Sequence, residues 1–145
     1  MYSGYKTIKV EMNEQVAVLT LNRPDKYNAI NMDMALELKD FYVKAAEDAN
    51  IRCILLTGSG KGFCSGADLG DWDNMNDDAA SDAIAAWNVA DHEMIENMQA
   101  CVKPVVVAVN GAAAGGGCDM TLTGDIRFVS TKAKFIEAYI KVGYP

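Results

Sequence analysis

The apolar run Val105-Val106-Val107-Ala108-Val109 leads straight into Asn110-Gly111 and, past three alanines, into Gly115-Gly116-Gly117. A short apolar run rich in β-branched residues reads as a buried strand. The glycines after it let the chain turn sharply and bring its backbone close to a neighbouring group with no side chain between. A short helix through about residue 123 is expected next. A helix opening at Gly115 or Gly116 leaves its first N–H groups without intrahelical partners, pointing at whatever occupies the turn. Glycine runs after strands also serve simply as packing or turn devices, so this one constrains the fold before it implies any chemistry.

Around that junction the pattern alternates. Residues 5–12 read as a strand with Ile8 and Val10 on one face and Lys9 and Glu11 on the other. Asn13-Glu14 reads as a turn and 16–21 as a second, more buried strand. Pro24 rules out regular structure over 22–26. Asn31 is positioned to cap a helix running to about residue 49, with Met34, Leu36, Leu38, Phe41, Val43 and Ala46 as its apolar residues. A fully apolar strand over 53–56 is followed by a glycine-rich run over 57–62, the segment Gly66-Ala67-Asp68-Leu69-Gly70, and an acidic stretch over 71–78. A helix over about 80–100 precedes the valine strand, and 126–129 forms one more strand. Strands alternating with helices specify a layered α/β core. With 145 residues, one domain can bury it.

A formal charge of −7 argues against a nucleic-acid partner, whose binding needs a basic face. No apolar run is long enough to span a membrane, and the first residues carry neither a secretory nor a transit pattern, so a cytoplasmic protein is expected. The four cysteines form no CxxC pair, so no metal site is expected, and Cys53 and Cys101 read as reduced core thiols. Gly62-Phe63-Cys64-Ser65-Gly66 fits a cysteine variant of the nucleophile elbow. The nearest strand lies too far upstream for that, and an acidic loop follows instead of a helix. The run 111–117 lacks the spacing of a dinucleotide fingerprint, and Lys61 lacks the Ser or Thr of a phosphate loop.

Three groups of residues occur in order: Leu21-Asn22-Arg23-Pro24 with Asn28-Ala29; Phe63-Cys64-Ser65-Gly66-Ala67-Asp68-Leu69; and Lys103-Pro104-Val105 through Asn110-Gly111 to Gly115-Gly116-Gly117-Cys118. Asp125-Ile126 and Ala133-Lys134-Phe135 follow. Together they resemble the enoyl-CoA hydratase/isomerase, or crotonase, superfamily over nearly the whole chain. The resemblance implies a crotonase-like (ClpP/crotonase) α/β spiral of repeated ββα units. Residues 1–145 would form its acyl-CoA-binding core, with the C-terminal helical part absent. It also implies an oxyanion hole made by the backbone N–H groups of Ala67 and Gly116, which would grip a thioester carbonyl and stabilise its enolate. The coenzyme A groove would fall on Lys26, Asn28 and Ala29 and on the loop carrying Ser65, Gly66, Asp68 and Leu69, with Gly115 as a further substrate-binding residue. Lys26 would meet a phosphate or would simply be a solvated lysine. Coenzyme A enters as part of the substrate, no metal or redox cofactor is implied, and the full-length protein is expected to be a homotrimer or hexamer.

The acid/base groups depart from the hydratases of that superfamily. Where those have a glutamate after Gly-Gly-Gly-Cys, this chain has Asp119, and at the position of the second glutamate it has Tyr139. Asp119 reads either as a carboxylate acid/base or as a helix N-terminal carboxylate favoured by the dipole. Tyr139 reads as lining the acyl pocket. His92, the only histidine, is either a surface residue on a charged helix or the counterpart of the histidine of the 4-chlorobenzoyl-CoA dehalogenase branch. An isomerase is favoured over a hydratase, and branches of the isomerase and dehalogenase type place an acid just after the segment ending Gly143-Tyr144-Pro145. Dehalogenase-like or acyl-CoA hydrolase activity and a non-catalytic acyl-CoA-binding module are the alternatives.

Overall fold

The computed structural model describes residues 2–71 and 77–143. Its elements are β1 (Ile8–Asn13), β2 (Val16–Leu21), α1 (Met32–Glu47), β3 (Cys53–Gly58), α2 (Asp77–Ala100), β4 (Val105–Val109), β5 (Ala113–Ala114), α3 (Gly116–Leu122), β6 (Ile126–Val129), β7 (Phe135–Ile136) and α4 (Tyr139–Val142). The acidic stretch expected over 71–78 falls largely outside the described residues, as do Tyr144 and Pro145. None of the described helices is long and apolar enough to cross a membrane.

β1 and β2 form an antiparallel hairpin, and β3, β4 and β6 extend it in parallel, giving the sheet order β1-β2-β3-β4-β6. β2, β4 and β6 have the bounds expected from sequence, and β3 runs two residues further than the expected 53–56. β2, β3 and β4 are largely apolar, yet one face is buried more completely than the other. Ala17, Leu19, Leu21, Ile54, Leu56, Val105, Val107 and Val109 belong to the core, while the alternate positions of β2 and β4 are half-buried. This is the period-two consequence of the pleat.

The helices complete that core with Met34, Leu38, Phe41 and Tyr42 of α1 and Trp87, Ala90, Met94 and Met98 of α2. Asn31 caps α1 as its sequence position predicts, its side-chain oxygen accepting from the Met34 N–H at 3.0 Å. The expected apolar face needs correction. Leu36 and Val43 are each 47 % exposed, and Ala35, Tyr42 and Ala45 take their places. Residues two apart on a helix do not share a face, so Leu36 and Val43 turn away from Met34 and Phe41.

A small parallel pair, β5 with β7, was not expected from the sequence. It fixes the glycine turn: the Ala113 N–H donates to Lys134 O and the Gly115 N–H to Ile136 O. A second tie is Asn28, fully buried at a left-handed φ of 55°. Its amide nitrogen donates to the carbonyls of Ser59 (2.9 Å), Gly62 (3.2 Å) and Phe63 (3.0 Å), while its oxygen accepts from the Arg23 N–H. Asn is among the few non-glycine residues that tolerate this backbone region. Replacing Asn28 by Ala in the full-length protein leaves buried carbonyls without donors. The expected loss is about 1–3 kcal/mol, read as a lower urea midpoint at unchanged slope; an unchanged midpoint would remove Asn28 from this role.

Candidate active site

The site lies beyond the carboxyl ends of β3 and β4, where open α/β sheets characteristically bind ligands. The segment after β3 runs beside the turn after β4. The Cys64 N–H donates to Ala112 O and the Ala114 N–H donates to Cys64 O at 2.9 Å. On its other side the same segment bridges to Ile30, whose N–H donates to Gly66 O and whose carbonyl accepts from the Asp68 N–H. Two glycines permit this approach. Gly66 has a φ of 92°, and a Cβ there would lie 2.8 Å from Ala114 O; a Cβ on Gly117 would lie 2.3 Å from Cys64 O. The Gly66 position is also 3.6 Å from the Gly116 nitrogen, measured from where its Cβ would be. With Ile30 taking up the neighbouring groups, the N–H groups of Ala67 and Gly116 have no acceptor among the described residues.

Both residues line one cavity of about 630 Å³, within the range of small-molecule sites. The loop after β3 contributes Ser65, Gly66, Ala67 and Leu69, and the turn and α3 contribute Gly115, Gly116, Asp119 and Leu122. α2 supplies Trp87, Asp91, His92, Ile95, Glu96 and Gln99, and Ala138 and Tyr139 close the end. Of the residues singled out from sequence, the structure therefore brings together Ser65, Gly66, Ala67, Leu69, His92, Gly115, Gly116, Asp119 and Tyr139.

Lys26, Asn28, Ala29 and Asp68 do not line the cavity. Lys26 is exposed on a short 3-10 turn (Pro24–Lys26), and the neighbouring Tyr27 carbonyl accepts from the Ser65 N–H, so this segment adjoins the cavity at Ser65. Asn28 is the buried tie described above. Ala29 is buried, and Asp68 forms an ion pair with Arg23 at 2.9 Å.

Asp119 sits in the first turn of α3, but no side chain caps that helix. Its carboxylate instead accepts a hydrogen bond from the Tyr139 hydroxyl. Burial, and then this bond, push the Tyr139 phenol well above its ordinary range, so it remains a protonated donor. His92 is an exposed residue on the cavity wall, with Nδ1 2.9 Å from the Asn88 carbonyl. Trp87 lines the cavity as well, whereas Met94 is fully buried in the core.

Asp91 was not singled out from sequence. It is half-buried on the cavity wall, and a side chain at Gly116 would begin 3.9 Å from its Oδ1. Burial raises its carboxyl above the ordinary value, and Asp119 adds to the rise while His92 opposes it. The signal was available in the helix period: Trp87, Asp91, Ile95 and Gln99 recur at every fourth position and share one stripe of α2.

The cysteine-elbow reading is set aside by the same geometry. Cys64 is fully buried in a bridge with Ala113, and burial pushes its thiol up to about 12, far from a reactive thiolate. Cys53 and Cys101, expected in the core, are half-buried free thiols, and Cys118 is buried.

The enoyl-CoA hydratase/isomerase family model matches residues 11–145. A protein named as a probable enoyl-CoA hydratase from Rhodobacter capsulatus is 39 % identical over 143 residues, covering 97 % of this chain and 52 % of that protein. The 1,2-epoxyphenylacetyl-CoA isomerase of Escherichia coli is 39 % identical over 128 residues, covering 88 % and 49 %. The crystal structure of an enoyl-CoA hydratase/isomerase from Mycobacterium paratuberculosis superposes with a TM-score of 0.86 at 32 % identity, covering 94 % of this chain and 54 % of that one. The chain thus spans about half the length of the relatives it matches. Sequence and fold agree over that span, and the chain belongs to the enoyl-CoA hydratase/isomerase family.

Proposed function

We propose that this chain supplies the acyl-CoA site of an enzyme that stabilises a thioester enolate, and that the full-length protein catalyses enoyl-CoA isomerisation in preference to hydration. The observation that carries the reading is the pair of unengaged N–H groups, Ala67 and Gly116, on one cavity with the Asp119 carboxylate. Two backbone donors aimed at a carbonyl oxygen stabilise the negative charge that develops there when a proton leaves the adjacent carbon. Asp119 is the base that takes this proton, held in position by Tyr139. The preference for isomerisation follows from Tyr139 occupying the position where the hydratases of the family carry a second glutamate. The pantetheine and nucleotide of coenzyme A would leave past Ser65 towards the 26–29 segment.

The walls also define the acyl group. Asp91, Glu96 and Asp119 are acidic, Trp87, Ile95 and Leu122 are apolar, and none of the described lining residues is Lys or Arg. Such a cavity accepts an uncharged acyl group and repels one ending in a carboxylate.

Three outcomes test this reading in the full-length protein. Gly116→Pro removes one N–H at the first residue of α3, a position whose backbone proline tolerates. The expected loss is about 100-fold or more in kcat, and full activity sinks the oxyanion assignment. Asp119→Asn should lower kcat by about 10²–10⁴-fold while acyl-CoA still binds; unchanged turnover moves the base elsewhere. Enoyl-CoA thioesters bearing a terminal carboxylate should show at least about tenfold lower kcat/KM than neutral chains of equal length, and equal values would refute the electrostatic account of the wall.

A further inference from the structure

Asp91 enters the cavity from α2, on a different element from Asp119, and its carboxyl has neither a hydrogen-bond donor nor an ion-pair partner among the described residues. It adjoins Gly116, one of the two free N–H donors, with Oδ1 3.9 Å from where a Gly116 Cβ would be. Asp119, by contrast, receives the Tyr139 hydroxyl. Asp91, Glu96 and Asp119 line one cavity with no Lys or Arg among its described lining residues, and of Asp91 and Asp119 only Asp119 is supplied with a donor. Burial, and then the Asp119 charge, raise the Asp91 carboxyl above its ordinary value, which favours its protonated form.

We propose that Asp91 is a second catalytic residue of this site, the proton donor that works opposite the base Asp119. The inference rests on the enolate-forming reading above. For a 3-enoyl-CoA the step balances as follows. The C2–H bond breaks, its proton passes to the Asp119 carboxylate, and the electron pair moves into a dienolate whose oxygen is held by the Ala67 and Gly116 N–H groups. The C4–H bond then forms with the Asp91 proton, the electrons return from the oxygen, and the 2-enoyl-CoA is complete. Asp119 is left protonated and Asp91 ionised, and one proton exchanged with solvent by each restores the starting state.

The charge environment of Asp91 agrees with this division. Burial is the first cause raising its carboxyl. The titratable groups that face it are Asp119 from α3, Tyr139 from α4, Cys64 from the loop after β3, and His92 and Glu96 on its own helix. α1, packed against α2, brings Lys39, which is already paired with Glu93 at 2.7 Å. A carboxyl raised in the folded state contributes stability below the ordinary carboxylate range and loses it as pH rises through the raised value. Asp91→Asn should therefore melt higher than the parent protein at pH 8 and at the same temperature at pH 4, a shift that a residue serving only as packing would not give.

The deciding experiment uses full-length protein and 3-butenoyl-CoA in D₂O, following the C2–H exchange of the substrate and the deuterium at C4 of the product by mass spectrometry. In the parent protein the product should carry solvent deuterium at C4. Asp91→Asn should still exchange C2–H measurably but form product at least about 100-fold more slowly, and Asp91→Glu should recover part of that loss. An Asp91→Asn enzyme that isomerises at the parent rate overturns the proposal and leaves the enolate reading standing. Loss of exchange and turnover together, with the melting temperature intact, overturns the division of roles between Asp91 and Asp119. A parent protein that neither exchanges C2–H nor turns over removes the enolate reading itself, and this inference with it.

Discussion

The site depends on one backbone contact, the passage of the Cys64 carbonyl over Gly117. A Cβ at Gly117 would sit 2.3 Å from that oxygen, a distance no side chain can occupy. Because the two segments approach so closely, Cys64 can pair with both Ala112 and Ala114, and the loop after β3 becomes in effect a further strand beside the glycine turn. Ile30 then pairs with the far edge of the same loop, which leaves the N–H of the cavity-lining Ala67 without an acceptor among the described residues. Each later feature of the site, from the free donors to the position of Asp119 on α3, follows from that seam. Backbone hydrogen bonds strengthen when water is excluded, and this seam is buried on both sides by Phe63, Cys64 and Ala113.

The charge distribution follows a similar division. Two of the cations near the site are committed elsewhere: Arg23 holds Asp68 on the loop, and Lys39 of α1 holds Glu93 of α2. Among its described lining residues the cavity carries three carboxyl groups and no Lys or Arg, beside the N–H groups of Ala67 and Gly116. In the proposed reaction the fixed N–H dipoles of Ala67 and Gly116 would stabilise the developing oxyanion, and the wall carboxyl groups would move the protons.

Much of this was legible in the sequence because it is local. The bounds of β2 and β4 follow from contiguous apolar runs, the Asn31 cap from one residue and its successor helix, and the glycine turn from its composition. The β5–β7 pair was not legible. Each strand has two residues, and their pairing joins segments some twenty residues apart, so no periodicity marks it. Leu36 and Val43 were misassigned because α1 carries more apolar residues than its buried stripe can hold. Asp91 was overlooked because in the sequence it is one acid beside His92 and Glu93. Only the four-residue ladder with Trp87, Ile95 and Gln99 sets it on the cavity side, and that ladder matters only once α2 is known to form the wall.

The unengaged donors of this cavity are main-chain atoms, whereas its carboxyl groups and most of its apolar lining are side chains on α2, α3 and α4. The two kinds of function are therefore inherited differently. A point mutation can exchange Trp87, Asp91, Gln99 or Asp119 for something else while the backbone donors persist, since almost any residue at Ala67 still presents an N–H. Under the proposed function, such a scaffold would change which carbon it protonates, or which acyl group it admits, without first losing its hold on the thioester. One seam of glycine backbone can thus serve a succession of related reactions, each written on the surrounding helices.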